Sequence, residues 1–194
     1  MYGGNIDANR AGSGNGGGIA MREESNCTVN IYDGTISDNV SYGCGGGIYA
    51  RGNSHTLNIE PRDRYVNITG NMAYNCPNAQ TGCGGGIYAR TNNFTISEGK
   101  GNLYIQNNEA QDVGGGMYLE DSNVTLNSHT SITGNGKDTA ISNNIKGGGV
   151  YLASGTLNLN GGNISNNKAY LGGGVYMANG VFNLNSGEIG NNTA

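Results

Sequence analysis

One glycine-rich motif recurs along the whole chain and constrains its fold more than any other feature. Three consecutive glycines followed by an aliphatic residue occur at Gly16–Ile19, Gly45–Ile48, Gly84–Ile87, Gly114–Met117, Gly147–Val150 and Gly172–Val175. Successive motifs begin 29, 39, 30, 33 and 25 residues apart, and the string GCGGGIYAR occurs twice without a change. Self-similarity at such spacings indicates an architecture in which equivalent units stack on one another.

Two further motifs follow each glycine motif in a constant order. The first is a pair of apolar residues two positions apart, such as Leu157 and Leu159. The second is Ile-x-x-Asn, which occurs seven times and ends at Asn9, Asn39, Asn71, Asn108, Asn135, Asn167 and Asn192. A composition with 37 glycines in 194 residues could also suggest a disordered chain. The ordered recurrence of three motifs argues against disorder.

The apolar residues alternate with a period of two, and many of them are β-branched, which is typical of short strands. No segment has room for helical periodicity. We therefore predict an all-β fold with three short strands per repeat, and specifically a right-handed parallel β-helix (a solenoid) of about six to seven turns. We expect residues 1–194 to form a single β-helix repeat domain, as a fragment of a longer surface protein.

Equivalent residues of stacked turns should lie in columns, since neighbouring strands are about 4.8 Å apart. The seven asparagines are predicted to form a structural ladder at a bend. A second column is predicted to point outward and to bind a sugar or an acidic peptide. It comprises Tyr49, Tyr88, Tyr118, Tyr151 and Tyr176, with Arg22, Arg51 and Arg90 two residues further along their strands. Alternatively, the stacked rings only stabilise the sheet and cover glycine backbone.

The cysteines leave the disulfide pattern open. Cys76 and Cys83 flank a six-residue insertion that a disulfide would close. Cys44 and Cys83 occupy the same repeat position and are a rival pair, and thiols without any disulfide remain a third alternative.

Other chemistries find little support in the sequence. No phosphate-binding loop, zinc motif or recurring aspartate is present, so no cofactor and no metal are predicted. The net charge of −4 argues against nucleic acid, and the absence of a long apolar run argues against direct membrane insertion. His55 and His129 are interpreted as solvated loop residues. The charged segment Glu60–Arg64 is interpreted as a loop decoration, and catalysis is not predicted.

The segments Gly84–Tyr88 and Phe182–Asn185 resemble the repeats of polymorphic outer membrane proteins. Similar repeats occur in large bacterial surface proteins with pectate-lyase-like right-handed β-helices. The resemblance covers essentially the whole chain, and it implies a passenger region on the cell surface that is involved in adhesion. It carries over no catalytic residue.

The resulting expectation is a non-catalytic, extracellular adhesin or stalk segment that presents an elongated surface to a host protein, a matrix protein or a glycan. One alternative is a polysaccharide-processing β-helix of the lyase or hydrolase kind. A second alternative is a self-assembling filament subunit that associates end to end through exposed strand edges.

Overall fold

The computed structural model describes residues 1–21, 26–74, 82–136 and 145–194, and within these residues it contains strands but no helix. The first ten strands are β1 (Tyr2–Asp7), β2 (Arg10–Ala11), β3 (Ile19–Met21), β4 (Thr28–Ile31), β5 (Asp33–Ser37), β6 (Val40–Ser41), β7 (Ile48–Arg51), β8 (Thr56–Ile59), β9 (Tyr65–Thr69) and β10 (Met72–Ala73). The others are β11 (Ile87–Arg90), β12 (Asn93–Ile96), β13 (Asn102–Gln106), β14 (Glu109–Ala110), β15 (Met117–Glu120), β16 (Ser122–Asn127), β17 (Thr130–Thr133), β18 (Val150–Leu152), β19 (Gly155–Ser165), β20 (Val175–Met177) and β21 (Val181–Gly190).

The strands form four sheets, and the paired strands run parallel. An eight-stranded sheet has the order β1-β5-β9-β13-β17-β19-β16, with β21 also paired to β19. A six-stranded sheet has the order β20-β18-β15-β11-β7-β3, a four-stranded sheet β14-β10-β6-β2 and a three-stranded sheet β12-β8-β4. The predicted all-β class is therefore confirmed.

Pairing partners lie one repeat apart and occupy the same position in the sequence motif. Ile48 pairs with Ile87, and Ile87 pairs with Met117, so the glycine motifs are in register. This arrangement fits a parallel β-solenoid. Three repeats have four strands rather than the predicted three, because a two-residue strand (β6, β10 or β14) follows the bend at the asparagine. Two residues are too few to show an alternation in the sequence. In the last two repeats the predicted second and third strands are continuous, as β19 and β21.

The interior is filled by aliphatic side chains of successive repeats. Ile48, Ile87, Met117 and Val150 are fully buried and belong to one hydrophobic cluster. Each contributes roughly 1.5–3 kcal/mol by its removal from water. The glycines before them allow the close approach of neighbouring strands: a Cβ on Gly47 would lie 2.7 Å from the Gly86 carbonyl oxygen.

The seven asparagines lie in one column, joined by hydrogen bonds between successive repeats. Asn39 shows the pattern: its Nδ2 donates to Asn71 Oδ1 at 2.9 Å and to the Ile6 carbonyl at 2.9 Å. Its backbone N–H also donates to Asn71 Oδ1, at 3.1 Å. The residue before each asparagine has a positive φ, which turns the chain there: Ala8, Asp38, Gly70, Asn107, Gly134, Asn166 and Asn191. The ladder thus satisfies buried polar groups at the bend.

Candidate functional site

The predicted tyrosine column is continuous; Tyr49 and Tyr88 are buried, and the other three rings are half-buried. Tyr49, Tyr88, Tyr118, Tyr151 and Tyr176 lie on five successive strands of the six-stranded sheet. Neighbouring ring centroids are 4.8–5.3 Å apart, with interplanar angles of 5–20°. Tyr49 is 5% exposed and Tyr88 is 7% exposed. The prediction that these two rings are available to a ligand is wrong, because neighbouring rings and the side chains of Cys44 and Cys83 cover them.

Cysteine side chains and a glutamate contact the tyrosines of this column, which we call the closed column. Cys44 and Cys83 pack against Tyr49 and Tyr88 in a small buried cluster. Burial is the main cause that raises the pKa of Tyr88 above its ordinary value, and the same holds for Tyr118 and, to a smaller extent, Tyr151. The Tyr118 hydroxyl donates to Glu120 Oε2 at 3.2 Å.

One arginine of the predicted column, Arg90, is paired with two acids. Arg90 Nε lies 3.5 Å from Glu120 Oε1 and 3.8 Å from Asp121 Oδ2. Glu120 follows Arg90 in the same column, so the guanidinium is paired with acids rather than presented to a ligand. Arg51 lies beside Arg90 in register and is half-buried. Arg22 lies outside the described residues.

The rival disulfide between Cys44 and Cys83 is not formed. Cys44 and Cys83 are not joined to each other by a disulfide, and their side chains are hydrogen-bonded to each other. This hydrogen bond is the main cause that lowers the pKa of Cys44. Cys76 lies outside the described residues, so its pairing with Cys83 stays a prediction.

The interpretation of His55 as a solvated loop residue is wrong. His55 is fully buried, and its Nδ1 accepts the Cys27 backbone N–H at 3.2 Å. Its carbonyl oxygen accepts the Thr91 hydroxyl at 2.8 Å. Its position holds two neighbouring repeats together. His129 is exposed beside Ser128, as expected for a loop residue.

A second column, on the eight-stranded sheet, is open to solvent. Tyr2 pairs with Asp33, and the pairing of Gly34 with Val66 places Asp33 beside Tyr65. Tyr2 is 77% exposed and Tyr65 is 46% exposed. A cleft of about 360 Å³ lies over this column, and Asp63 and Arg64 also line it. Two exposed rings and two carboxylates therefore converge on one concave surface.

A β-bulge shapes the edge of this cleft. Tyr2 pairs with Asp33 and Asn5 pairs with Thr35, so Gly3 and Gly4 together lie opposite the single residue Gly34. Gly3 and Gly4 have φ angles of 140° and 87°, which favour glycine. Bulges of this kind redirect a neighbouring side chain and are frequent next to functional sites. Here the bulge sets the direction of Tyr2 at the rim of the cleft.

A cation–π stack holds Tyr2 although the side chain is exposed. The Arg62 guanidinium lies 3.7 Å from the centroid of Tyr32, whose ring centroid is 4.7 Å from that of Tyr2. Glu60 Oε2 binds Arg62 Nη2 at 3.1 Å, and this hydrogen bond raises the pKa of Arg62. The segment Glu60–Arg64, interpreted from the sequence as a decoration, therefore supports one wall of the cleft.

Polar side chains continue along the sheet next to the cleft. Asn5, Thr35, Asn67 and Tyr104 occupy successive positions of one register column on β1, β5, β9 and β13. Gln106 Nε2 donates to Asn67 Oδ1 at 3.1 Å. Beside the cleft, the sheet thus presents amide and hydroxyl groups to solvent.

The repeat pattern of the sequence does not reveal this site, because the bulge shifts its register. Asp33 and Tyr65 each precede the isoleucine of their Ile-x-x-Asn motif by three residues, whereas Tyr2 precedes Ile6 by four. The extra glycine of the pair Gly3–Gly4 accounts for the difference. An alignment of the repeats that allowed one glycine insertion would have placed Tyr2, Asp33 and Tyr65 in one column.

Comparison with known proteins gives no match, whether with protein-family models, with curated proteins or with solved structures. In the described part of the chain, no three His, Cys, Asp or Glu side chains are grouped so that they could hold a metal ion. The same residues include no helix that is long and apolar enough to span a membrane.

Proposed function

We propose that the chain forms a right-handed parallel β-helix and acts as a non-catalytic binding segment of an extracellular adhesin or stalk. Its eight-stranded sheet is the ligand-binding face. Several observations support the proposal: each sheet runs in register through successive repeats, the core is continuous, and the eight-stranded sheet carries a polar column beside the cleft. A stiff stack of this kind presents binding groups at regular spacing. These groups are already ordered, so binding a ligand costs less conformational entropy.

One contrast carries the proposal most directly. Tyr49 and Tyr88 are buried, whereas Tyr2 and Tyr65 are exposed at a concave surface beside carboxylate and amide groups. Apolar rings with a few converging polar groups are typical of ligand sites. The fold itself does not need two large exposed rings at this position.

The test is a binding assay combined with product analysis. The protein is applied to an array of glycans and extracellular-matrix proteins, and each ligand that is retained is incubated with it and analysed by mass spectrometry. We expect retention of at least one ligand without cleavage. Cleavage of a polysaccharide would instead establish the lyase or hydrolase alternative, and the absence of any retained ligand would refute the binding function.

Self-association is a second candidate, favoured by the strand edge at β21. Leu184 is 57% exposed, whereas its register partner Leu159 is fully buried; Ile189 and Ile164 show the same contrast. An exposed strand edge with apolar side chains pairs readily with another chain. Sedimentation velocity over a range of concentrations tests this, and a sedimentation coefficient that stays constant would contradict it.

A further inference from the structure

We propose that the cleft formed by Tyr2, Asp33 and Tyr65 binds a neutral glycan, and that Arg62 positions Tyr2 for this ligand. The inference rests on the proposed binding function and names its ligand class. It follows from the spacing of the two rings, from the polar groups between them, from the local charge and from the stack that holds Tyr2.

The two rings are spaced to contact a sugar chain at two points. Tyr2 lies on β1 and Tyr65 on β9, with Asp33 on β5 between them. Two strand spacings correspond to about 10 Å. Tyrosine supplies a large, rigid and amphipathic contact surface, and the C–H face of a pyranose ring packs against such a surface. The strand between the rings contributes an acid in place of a third ring.

The groups between the rings are suited to sugar hydroxyls. Asp33 Oδ1 accepts the Arg64 backbone N–H at 3.1 Å, which fixes the carboxylate, and a carboxylate has about four acceptor sites in all. Asn5 and Thr35 add an amide and a hydroxyl on the same wall. A hydroxyl that donates to a carboxylate forms a charge-assisted hydrogen bond. The cleft therefore offers acceptors for the donors of a polyol.

The local charge selects a neutral ligand. Asp33 and Asp63 line the cleft together with one arginine, Arg64. The nearby Arg62 is paired with Glu60, and the net charge of the whole chain is −4. Phosphates and uronic acids would place like charges opposite the two carboxylates, which is unfavourable. A neutral oligosaccharide meets no such repulsion.

Arg62 acts through Tyr2 rather than on the ligand. Its guanidinium stacks at 3.7 Å on Tyr32, which in turn packs at 4.7 Å on Tyr2. Holding an exposed ring in one orientation before binding reduces the entropy that is lost in the complex. Arg62 is therefore a positioning residue.

The experiment is isothermal titration calorimetry with the 194-residue chain. The probes are three neutral hexasaccharides, built from β-1,4-linked glucose, α-1,4-linked glucose and β-1,4-linked N-acetylglucosamine, and one acidic probe, hexagalacturonate. We expect at least one neutral probe to bind and hexagalacturonate to bind more weakly. We expect Tyr65→Ala and Asp33→Asn each to weaken that binding about tenfold. Tyr170→Ala, which removes another exposed tyrosine, is the matched control and should bind like the parent.

A double-mutant cycle tests the role of Arg62. We expect Arg62→Ala to weaken binding about threefold, and we expect it to have no further effect when Tyr2→Ala is already present. Additive effects of the two substitutions would contradict positioning through Tyr2.

The outcomes separate this inference from the function on which it rests. If a neutral probe binds but Tyr65→Ala and Asp33→Asn bind as the parent does, the ligand lies elsewhere and the inferred site is wrong. Stronger binding of hexagalacturonate would overturn the neutral ligand class. If no hexasaccharide binds but the array retains a protein, the glycan inference fails and the binding function stands.

Discussion

Two tyrosine columns in this molecule have opposite environments. On the six-stranded sheet, a tyrosine occupies five successive strands, and each ring stacks on the next at about 5 Å. On the eight-stranded sheet, Asp33 interrupts the column between Tyr2 and Tyr65, so neither ring has an aromatic partner on the neighbouring strand in register. An uninterrupted column uses its ring faces for its own stability. An interrupted column leaves ring surface available to a ligand.

The largest expected effect is on the free energy of unfolding when one tyrosine of each column is replaced by alanine. Tyr88→Ala should lower the free energy of unfolding by about 3 kcal/mol, because it removes a buried ring between two stacked neighbours. Tyr65→Ala should change it by less than about 0.5 kcal/mol, since that ring is exposed. Urea unfolding followed by far-UV circular dichroism measures both values. Equal losses in the two variants would show that both columns are structural.

Alkaline pH should weaken the buried part of the Tyr49–Tyr176 column. Burial raises the pKa of Tyr88, whereas an unfolded tyrosine titrates near pH 10. The contribution of Tyr88 to the free energy of unfolding is complete below about pH 10 and is lost above it, because the unfolded chain releases the Tyr88 hydroxyl proton first. The free energy of unfolding should fall by about 1.4 kcal/mol per pH unit for each such tyrosine.

The matched variants for this pH dependence are Tyr88→Phe and Tyr65→Phe. Unfolding measured between pH 8 and pH 11.5 should show a shallower decline for Tyr88→Phe than for the parent. The decline for Tyr65→Phe should equal that of the parent. An unchanged slope in Tyr88→Phe would contradict the burial of this hydroxyl.

The interruption itself can be removed by Asp33→Tyr. A tyrosine at this position would fill the gap between Tyr2 and Tyr65 and create three stacked rings. Two new ring contacts should raise the free energy of unfolding by about 1 kcal/mol, offset in part by the loss of the bond to the Arg64 N–H. Ligand binding should disappear. Undiminished binding would show that the interruption is irrelevant to function.

The smallest expected effect concerns the acid beside the closed column. Glu120→Gln removes the ion pair with Arg90 and weakens the acceptor of the Tyr118 hydroxyl. Because Arg90 is partly exposed, we expect a loss of only about 0.5 kcal/mol. Thermal unfolding at low and at high salt checks this. The difference in Tm between the variant and the parent should become smaller as the salt concentration increases. A loss above 2 kcal/mol would indicate that the pair is far better shielded than its exposure suggests.

Much of the architecture could be predicted from the sequence, since the constant spacing of Ile and Asn within each repeat determines which residues pair. The position of the asparagine column followed from that spacing. The burial of Tyr88 could not be predicted, because it depends on the covering by Cys44 and Cys83 and by adjacent rings. The column of Tyr2, Asp33 and Tyr65 could not be predicted for another reason. The bulge at Gly3–Gly4 shifts Tyr2 by one position, and a strict repeat count does not detect such a shift.

The contrast between the two columns can be measured in one experiment. The folded protein is treated briefly with tetranitromethane, which nitrates accessible tyrosine rings, and the modification of each tyrosine is quantified by peptide mass spectrometry. The account predicts rapid nitration of Tyr2 and Tyr65 and protection of Tyr49 and Tyr88 until the protein unfolds. Nitration of Tyr88 at the rate of Tyr65 in the folded protein would contradict it.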